Sequence, residues 1–194
     1  MENSVLNREQ AQLLADKYQQ AAHAMIYARC NKPISIRDNE AQLEYLILML
    51  LRDDGFFGFP GGEVEPEETW ETGLQREMFE EINFKSDVKP DNYCFSQLTG
   101  KHLCHFYCIE TSEDCFVAME SDARNSIHFG QEIMGVVRVP LFRLKRTNLG
   151  IEMFLQQKFI GNAREQLLHG IETKKLMNDF KLLTVTANCS AHSH

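Results

Sequence analysis

The stretch from Gly58 to Phe84, GFPGGEVEPEETWETGLQREMFEEINF, restricts this chain more than any other. A loop holding Gly58, Gly61 and Gly62 runs into a segment whose spacing predicts a helix over 69–81, ending near Asn83. Asn83 suits that end because asparagine tolerates the left-handed conformation usually given to glycine. On the helix Glu77, Glu80 and Glu81 fall at i, i+3 and i+4, so three carboxylates share one face. Like charges so spaced destabilise an isolated helix by roughly 0.2–0.5 kcal/mol per pair. A solvated acidic face would account for a glutamate-rich helix alone. The glycine loop, then Glu68, then Arg76 beside the three glutamates is a narrower coincidence. A divalent cation turns the repulsion into binding, because magnesium takes carboxylate oxygens and water and shares its shell with substrate phosphates. The glycines let backbone approach a ligand closely. Arg76 is expected to pair with Glu68 and tie the loop onto the helix.

The rest of the chain supplies a mixed α and β frame. Residues 8–22 predict an amphipathic helix, 23–29 (HAMIYAR) a strand, and NKPISIRDNEA a loop. The apolar run LEYLILMLLR, 43–52, predicts a buried strand closed by the turn DDG. Strands are expected over 102–110 and 133–139, with an irregular acidic segment between them. A closing helix over 161–177 has Ala163, Leu167, Leu168, Ile171 and Leu176 as its stripe. With 194 residues the chain is long enough for one domain and short for two, so one domain over 1–180 and a flexible tail over 181–194 are expected. Its 43% hydrophobic and 25% charged residues fit an ordinary globular protein. No apolar run nears the roughly 18–20 residues that cross a membrane, and the N-terminal stretch lacks an apolar signal core. An intracellular protein with no membrane partner is expected.

A net charge of -8 excludes nucleic-acid binding by bulk attraction, so any such role needs a local basic patch. Arg138, Arg143, Lys145 and Arg146 are the candidate patch, and solvated loop charges are its simpler reading. The six cysteines have no framework spacing and are expected to be reduced. HLCHFYC, 102–108, reads as a strand with a buried cysteine face rather than as a zinc site.

Gly62, Glu68 and REMFEEINF, at their spacing, resemble the Nudix box, the signature of the Nudix hydrolases, with Asn83 where the family has glycine. The resemblance implies an α/β/α sandwich around a mixed central sheet and hydrolysis of a nucleoside diphosphate linked to another group. It implies magnesium or manganese on Glu77, Glu80 and Glu81 with a backbone oxygen at Gly61, and gives Gly62, Glu68 and Arg76 structural parts. Outside the box, HAMIYA, FGFPGG, HFYCIE, EIMGVVRVPLF and FIGNAREQLL are similar to the small-nucleolar-RNA decapping and inosine diphosphatase branch. That likeness implies purine nucleoside diphosphates and capped RNA as partners, a homodimer, and a nuclear (nucleolar and nucleoplasmic) and cytoplasmic distribution. It implies His23 and Gln166 at a purine, Arg52 and Phe59 as substrate contacts, and Glu132 as an additional catalytic carboxylate. An imidazole or carboxamide can read a purine edge, and a cation suits a phosphate. Two positions depart from the branch: Gln97, where a histidine can stand near the metals, and His169, where a carboxylate would fit. The alternatives are a broader ADP-ribose or dinucleotide hydrolase and an inactive module that binds RNA or protein.

Overall fold

The computed structural model describes residues 5–36, 39–142 and 150–177. In chain order these form β1 (Val5–Leu6), α1 (Arg8–Gln12), β2 (Gln19–Ile36), β3 (Asn39–Arg52), β4 (Phe57–Gly58) and β5 (Gly61–Glu63). There follow α2 (Trp70–Ile82), β6 (Tyr93–Thr99), β7 (His102–Thr111), α3 (Glu113–Asp122), β8 (Ile133–Arg138), α4 (Ile151–Phe154) and α5 (Ala163–Lys174). The described strands run β1-β6-β7-β2-β3-β4 across the sheet, with β5 also beside β2 and β8 beside β3. β2 lies parallel to β7 and antiparallel to β3 and β5, so the sheet is mixed.

Alternation along β2 divides the core. Ala22, Ala24, Ile26 and Ala28 point to one face, where they pack with Leu74, Met78 and Ile82 of α2 and Phe116 of α3. Met25 and Tyr27 point to the other, where they meet Ile151 and Phe154 of α4 and Ala163, Leu167 and Ile171 of α5. The expected α/β/α sandwich with a mixed central sheet is the architecture found. Burying Leu74, Met78 and Ile82 is worth about 1.5–3 kcal/mol each. That outweighs the repulsion along the acidic face of α2. Thr69 caps the helix by accepting from Thr72 N (3.1 Å), and Asn83 ends it in the left-handed conformation at φ 55°.

Several local expectations needed correction. The helix expected over 8–22 stops at Gln12 because pairing claims the residues beyond it: Gln19 lies opposite His102 and Ala21 opposite Glu63. The expected loop NKPISIRDNEA forms the facing ends of β2 and β3 on either side of residues 37–38. The acidic segment after β7 contains α3, capped by Ser112, with Glu113 and Asp114 at the positive end of its dipole and Phe116 fully buried. β6 carried no recognised pattern. β7 buries both faces, not the cysteine face alone, because it lies between β6 and β2 under both helical layers. Its His105 is accommodated by Ser96 Oγ on Nδ1 (2.7 Å), Gln20 Oε1 on Nε2 (2.8 Å) and Trp70 stacked at 3.6 Å. Arg138 pairs with Glu120, whereas Arg143, Lys145 and Arg146 lie outside the described residues, as does the expected tail. No helix of the described residues is long and apolar enough to cross a membrane.

Candidate active site

Gly61 and Gly62 bring the loop against both β2 and α2. At φ 130°, a Cβ on Gly61 would stand 2.1 Å from Ala22 O. On Gly62 it would stand 2.6 Å from Glu77 Cδ, so the Glu77 carboxylate lies directly over that residue. Arg76 then ties the parts together. Its Nε and Nη2 fork onto Glu68 Oε1 (2.8 Å) and Oε2 (3.0 Å), and Nη2 also donates to Glu63 O (3.0 Å). Nη1 reaches Glu77 Oε1 at 2.7 Å and Glu80 Oε2 at 3.5 Å. The expected Arg76–Glu68 pair is present, and the same guanidinium restrains two of the three glutamates.

Glu81 is the buried member, 4% exposed, and Gly61 N donates to its Oε2 at 2.7 Å. Burial pushes its carboxyl up to about 8; the Gly61 N–H and Arg52 oppose the shift, while Glu77 and Glu132 add to it. Gly61 thus meets Glu81 through its N–H, a different atom from the carbonyl oxygen expected on a metal. Among the described residues no three His, Cys, Asp or Glu side chains already close around one point. The residues nevertheless fit a hard divalent cation. An acid raised by burial, and further by neighbouring carboxylates, holds a proton that such an ion would displace, and the donors are all oxygens.

The remaining expected residues gather on two sides of this helix. Arg52 ends β3, passes its Cδ 3.3 Å from the Cβ position of Gly58 and holds Asp54 Oδ2 at 3.3 Å. Its charge acts on both Glu81 and His23. Glu132 is exposed just before β8, held through its backbone by Asp53 N (2.9 Å), with Oε2 3.8 Å from His128 Nδ1. On the α5 side, His23 sits on β2 opposite Gly61 and Phe106. Its Nδ1 is enclosed with no hydrogen-bond partner, and burial, then Arg52, brings the ring down to about 4. Gln166 is 2% exposed, with Nε2 unpartnered.

α5 runs along the sheet so that Asn162, at its start, donates to Gln97 (2.8 Å), while a Cβ on Gly170 would touch Met25 Sδ at 2.8 Å. Gln166, between those points, is therefore level with His23, which precedes Met25 on the same sheet face. Phe59 is 4% exposed and packs edge-on to Phe106 at 5.1 Å, within the apolar cluster that also holds Met25 and Leu167. Of the two departing positions, Gln97 is buried against Asn162 and His169 stands edge-on to Phe95 at 4.4 Å. Sequence reasoning missed the segment that clamps the end of α2: Ser126 Oγ donates to Glu81 O (2.7 Å) and His128 N to Glu80 O (3.0 Å). Nothing periodic marks those residues, since their partners are carbonyls distant in sequence.

A glycine loop, a carboxylate-bearing helix and an α/β/α sandwich in this order define the Nudix hydrolases, enzymes that act on phosphoanhydride bonds and generally need a divalent metal ion. A MutT/nudix family protein from Enterococcus faecalis shares the fold, with a TM-score of 0.53 over 81% of this chain and 62% of that one, at 13% identity. Within that class, residues 20–177 match the Nudt16-like family, described as U8 snoRNA-decapping enzyme-like, and the chain belongs to it. It is 33% identical to the U8 snoRNA-decapping enzyme of Xenopus laevis, over 93% of this chain and 86% of that protein. To the Ovis aries enzyme of the same name it is 35% identical, over 84% and 86%. To the Tudor-interacting repair regulator protein of Homo sapiens it is 32% identical, over 94% and 86%. The chain is a hydrolase of phosphoanhydride bonds.

Proposed function

We propose that this hydrolase cleaves inosine or deoxyinosine diphosphate to the monophosphate and removes the 7-methylguanosine cap from RNA, using magnesium or manganese. The observation that carries the reading is the pair of enclosed, unpartnered polar atoms on the α5 side, His23 Nδ1 and Gln166 Nε2, with the Arg52 charge acting on both His23 and Glu81. A buried donor without a partner costs about 1–3 kcal/mol, and a base that accepts its hydrogen bond recovers that cost. Gln166 Nε2 is a donor and matches the O6 acceptor of hypoxanthine or guanine; adenine presents a donor there. His23, held neutral, donates or accepts at Nδ1 according to its tautomer.

Arg52 leaves its partly exposed pair with Asp54 to meet the phosphates, which a screened ion pair permits at little cost. Glu77, Glu80 and Glu81 would hold the divalent cation, which would make a bound water more acidic and neutralise phosphate charge. Glu132 is exposed and its charge acts on Glu81, and it is the residue that takes the proton of the attacking water. Kinship with the U8 snoRNA-decapping enzymes of Xenopus laevis and Ovis aries supports the RNA substrate and a nuclear role; the homodimer and the cytoplasmic share of the proposal rest on the family resemblance alone.

The test is a competition between inosine diphosphate and a short capped RNA in magnesium or manganese, following both products. Cleavage of the RNA with inhibition by the diphosphate is the expected result and means one pocket serves both. Consumption of the diphosphate alone would remove the RNA role. Cleavage of neither would transfer the reading to another dinucleotide.

A further inference from the structure

On the α5 face of the sheet, opposite the glutamates, the β6–β7 ladder slips by one residue. Tyr93 lies opposite Tyr107 but Phe95 lies opposite Phe106, so Cys94 is the extra residue of a bulge. A bulge turns its residue out of the regular alternation. Here it leaves Cys94 packed against the same apolar cluster as Cys108, and each follows one member of the facing Tyr93–Tyr107 pair, so the two cysteines lie diagonally across the bulge on one side of the sheet. Cys108 is 2% exposed and Cys94 is half-buried, so of the two Cys94 is the one open to a small reagent. The end of α5 brings Thr173 and the Lys174 charge to bear on Cys94. The contact with Cys108 and these two groups together bring the Cys94 thiol down to about 7 against the opposing effect of burial. The catalytic reading uses neither sulfur.

We propose that Cys94 and Cys108 form a dithiol site that a hydroperoxide converts into an intramolecular disulfide, with Cys94 as the attacking thiol. The Cys94 thiolate attacks the terminal peroxide oxygen and the O–O bond breaks. The leaving oxygen takes a proton to become an alcohol or water, and Cys94 becomes a sulfenic acid. The Cys108 sulfur then attacks the Cys94 sulfur, the S–O bond breaks, and water leaves with the Cys108 proton. The dithiol loses two electrons and the hydroperoxide gains them. Thiolate character and access select the first thiol, and adjacency selects the second.

The full chain, reduced and then exposed to hydrogen peroxide, is alkylated, digested and weighed by mass spectrometry. The expected product joins the Cys94 and Cys108 peptides, is two hydrogens lighter than their sum, and reverts with dithiothreitol. Cys94 should lose its alkylation about tenfold faster than the exposed Cys115. In Cys108→Ser the oxidation should stop at a dimedone-reactive sulfenic acid on Cys94. In Cys94→Ser the cross-link should vanish while Cys108 stays unmodified, with melting curves reporting that both variants are folded. The proposal is overturned if wild-type Cys94 passes to sulfinic acid without joining Cys108, joins another cysteine, or reacts no faster than Cys115.

Discussion

On the α2 side of the site, Gly61, Gly62, Glu68, Arg76, Glu77 and Glu81 come from one loop and one helix and bind one another. Arg76 forks onto Glu68, Glu77 covers Gly62, and Gly61 N donates to Glu81. On the α5 side, His23, Arg52 and Gln166 come from β2, β3 and α5, and two of them keep polar atoms with no partner. The first side has closed its hydrogen bonds before any ligand arrives; the second has left them open. Fixed charges are of most use when they need no rearrangement as phosphate charge develops. A base-reading surface gains affinity from groups that only the right ligand satisfies. In the proposed reading, rigidity goes with the chemistry and unsatisfied polarity with recognition.

The largest break in this comparison is expected at Glu81. Glu81→Gln keeps the shape and the Gly61 hydrogen bond but removes the charge, so turnover should fall about a thousandfold with an unchanged melting temperature. Steady-state rates beside a thermal melt check it, and near-wild-type turnover would remove Glu81 from the metal set. Next comes Gly61→Ala. Its Cβ meets Ala22 O at 2.1 Å in a backbone conformation that side chains avoid, so the closed side should lose about 3 kcal/mol of stability. Urea denaturation measures it, and a loss below about 1 kcal/mol would mean the loop can relax away from β2.

Histidines sharpen the contrast between closed and open sites. His105 has both ring nitrogens satisfied, and burial, with the Arg8 charge adding, lowers it to about 3. Because the unfolded chain takes up this proton first, stability should be complete above the ordinary value of 6.5. It should fall as pH drops towards 3, by up to ~1.4 kcal/mol per unit. Urea midpoints from pH 7 to 5 should show the slope, and His105→Gln should flatten it; an equal slope in the variant assigns it to other groups.

The smallest effect is expected on the open side. Gln166→Leu removes an unpaired donor, so stability should stay level or rise by up to about 1 kcal/mol. KM for inosine diphosphate should rise about tenfold with kcat little changed. A loss of stability with an unaltered KM would make Gln166 a core residue.

These two sides also differ in how far the sequence reveals them. Everything on the α2 side lies within one short segment, so helical spacing alone puts Glu77, Glu80 and Glu81 on a face and Arg76 within reach of Glu68. Local chemistry likewise settles the ends of α2: Thr69 caps it and Asn83 closes it. By contrast, helical spacing does not reveal that Gln166 is buried, because periodicity reports how apolar a face is and not what packs over it. The 8–22 segment went astray for a related reason: a helical pattern yielded to pairing with β5 and β7, strands remote in sequence. α3 and the 126–128 clamp were hidden too, since one buried aromatic and two backbone carbonyls leave no period to read.

By itself, then, the sequence determined the acidic helix, its loop and the mixed α and β class. Those depend on contacts within a few residues, where backbone geometry repeats. Tertiary structure alone decided that Glu81 is buried, that His23 and Gln166 share one level of the sheet, and that a bulge turns Cys94 towards Cys108. Each of those depends on strand register and helix placement, set by burying the whole core at once and not by any local run of residues.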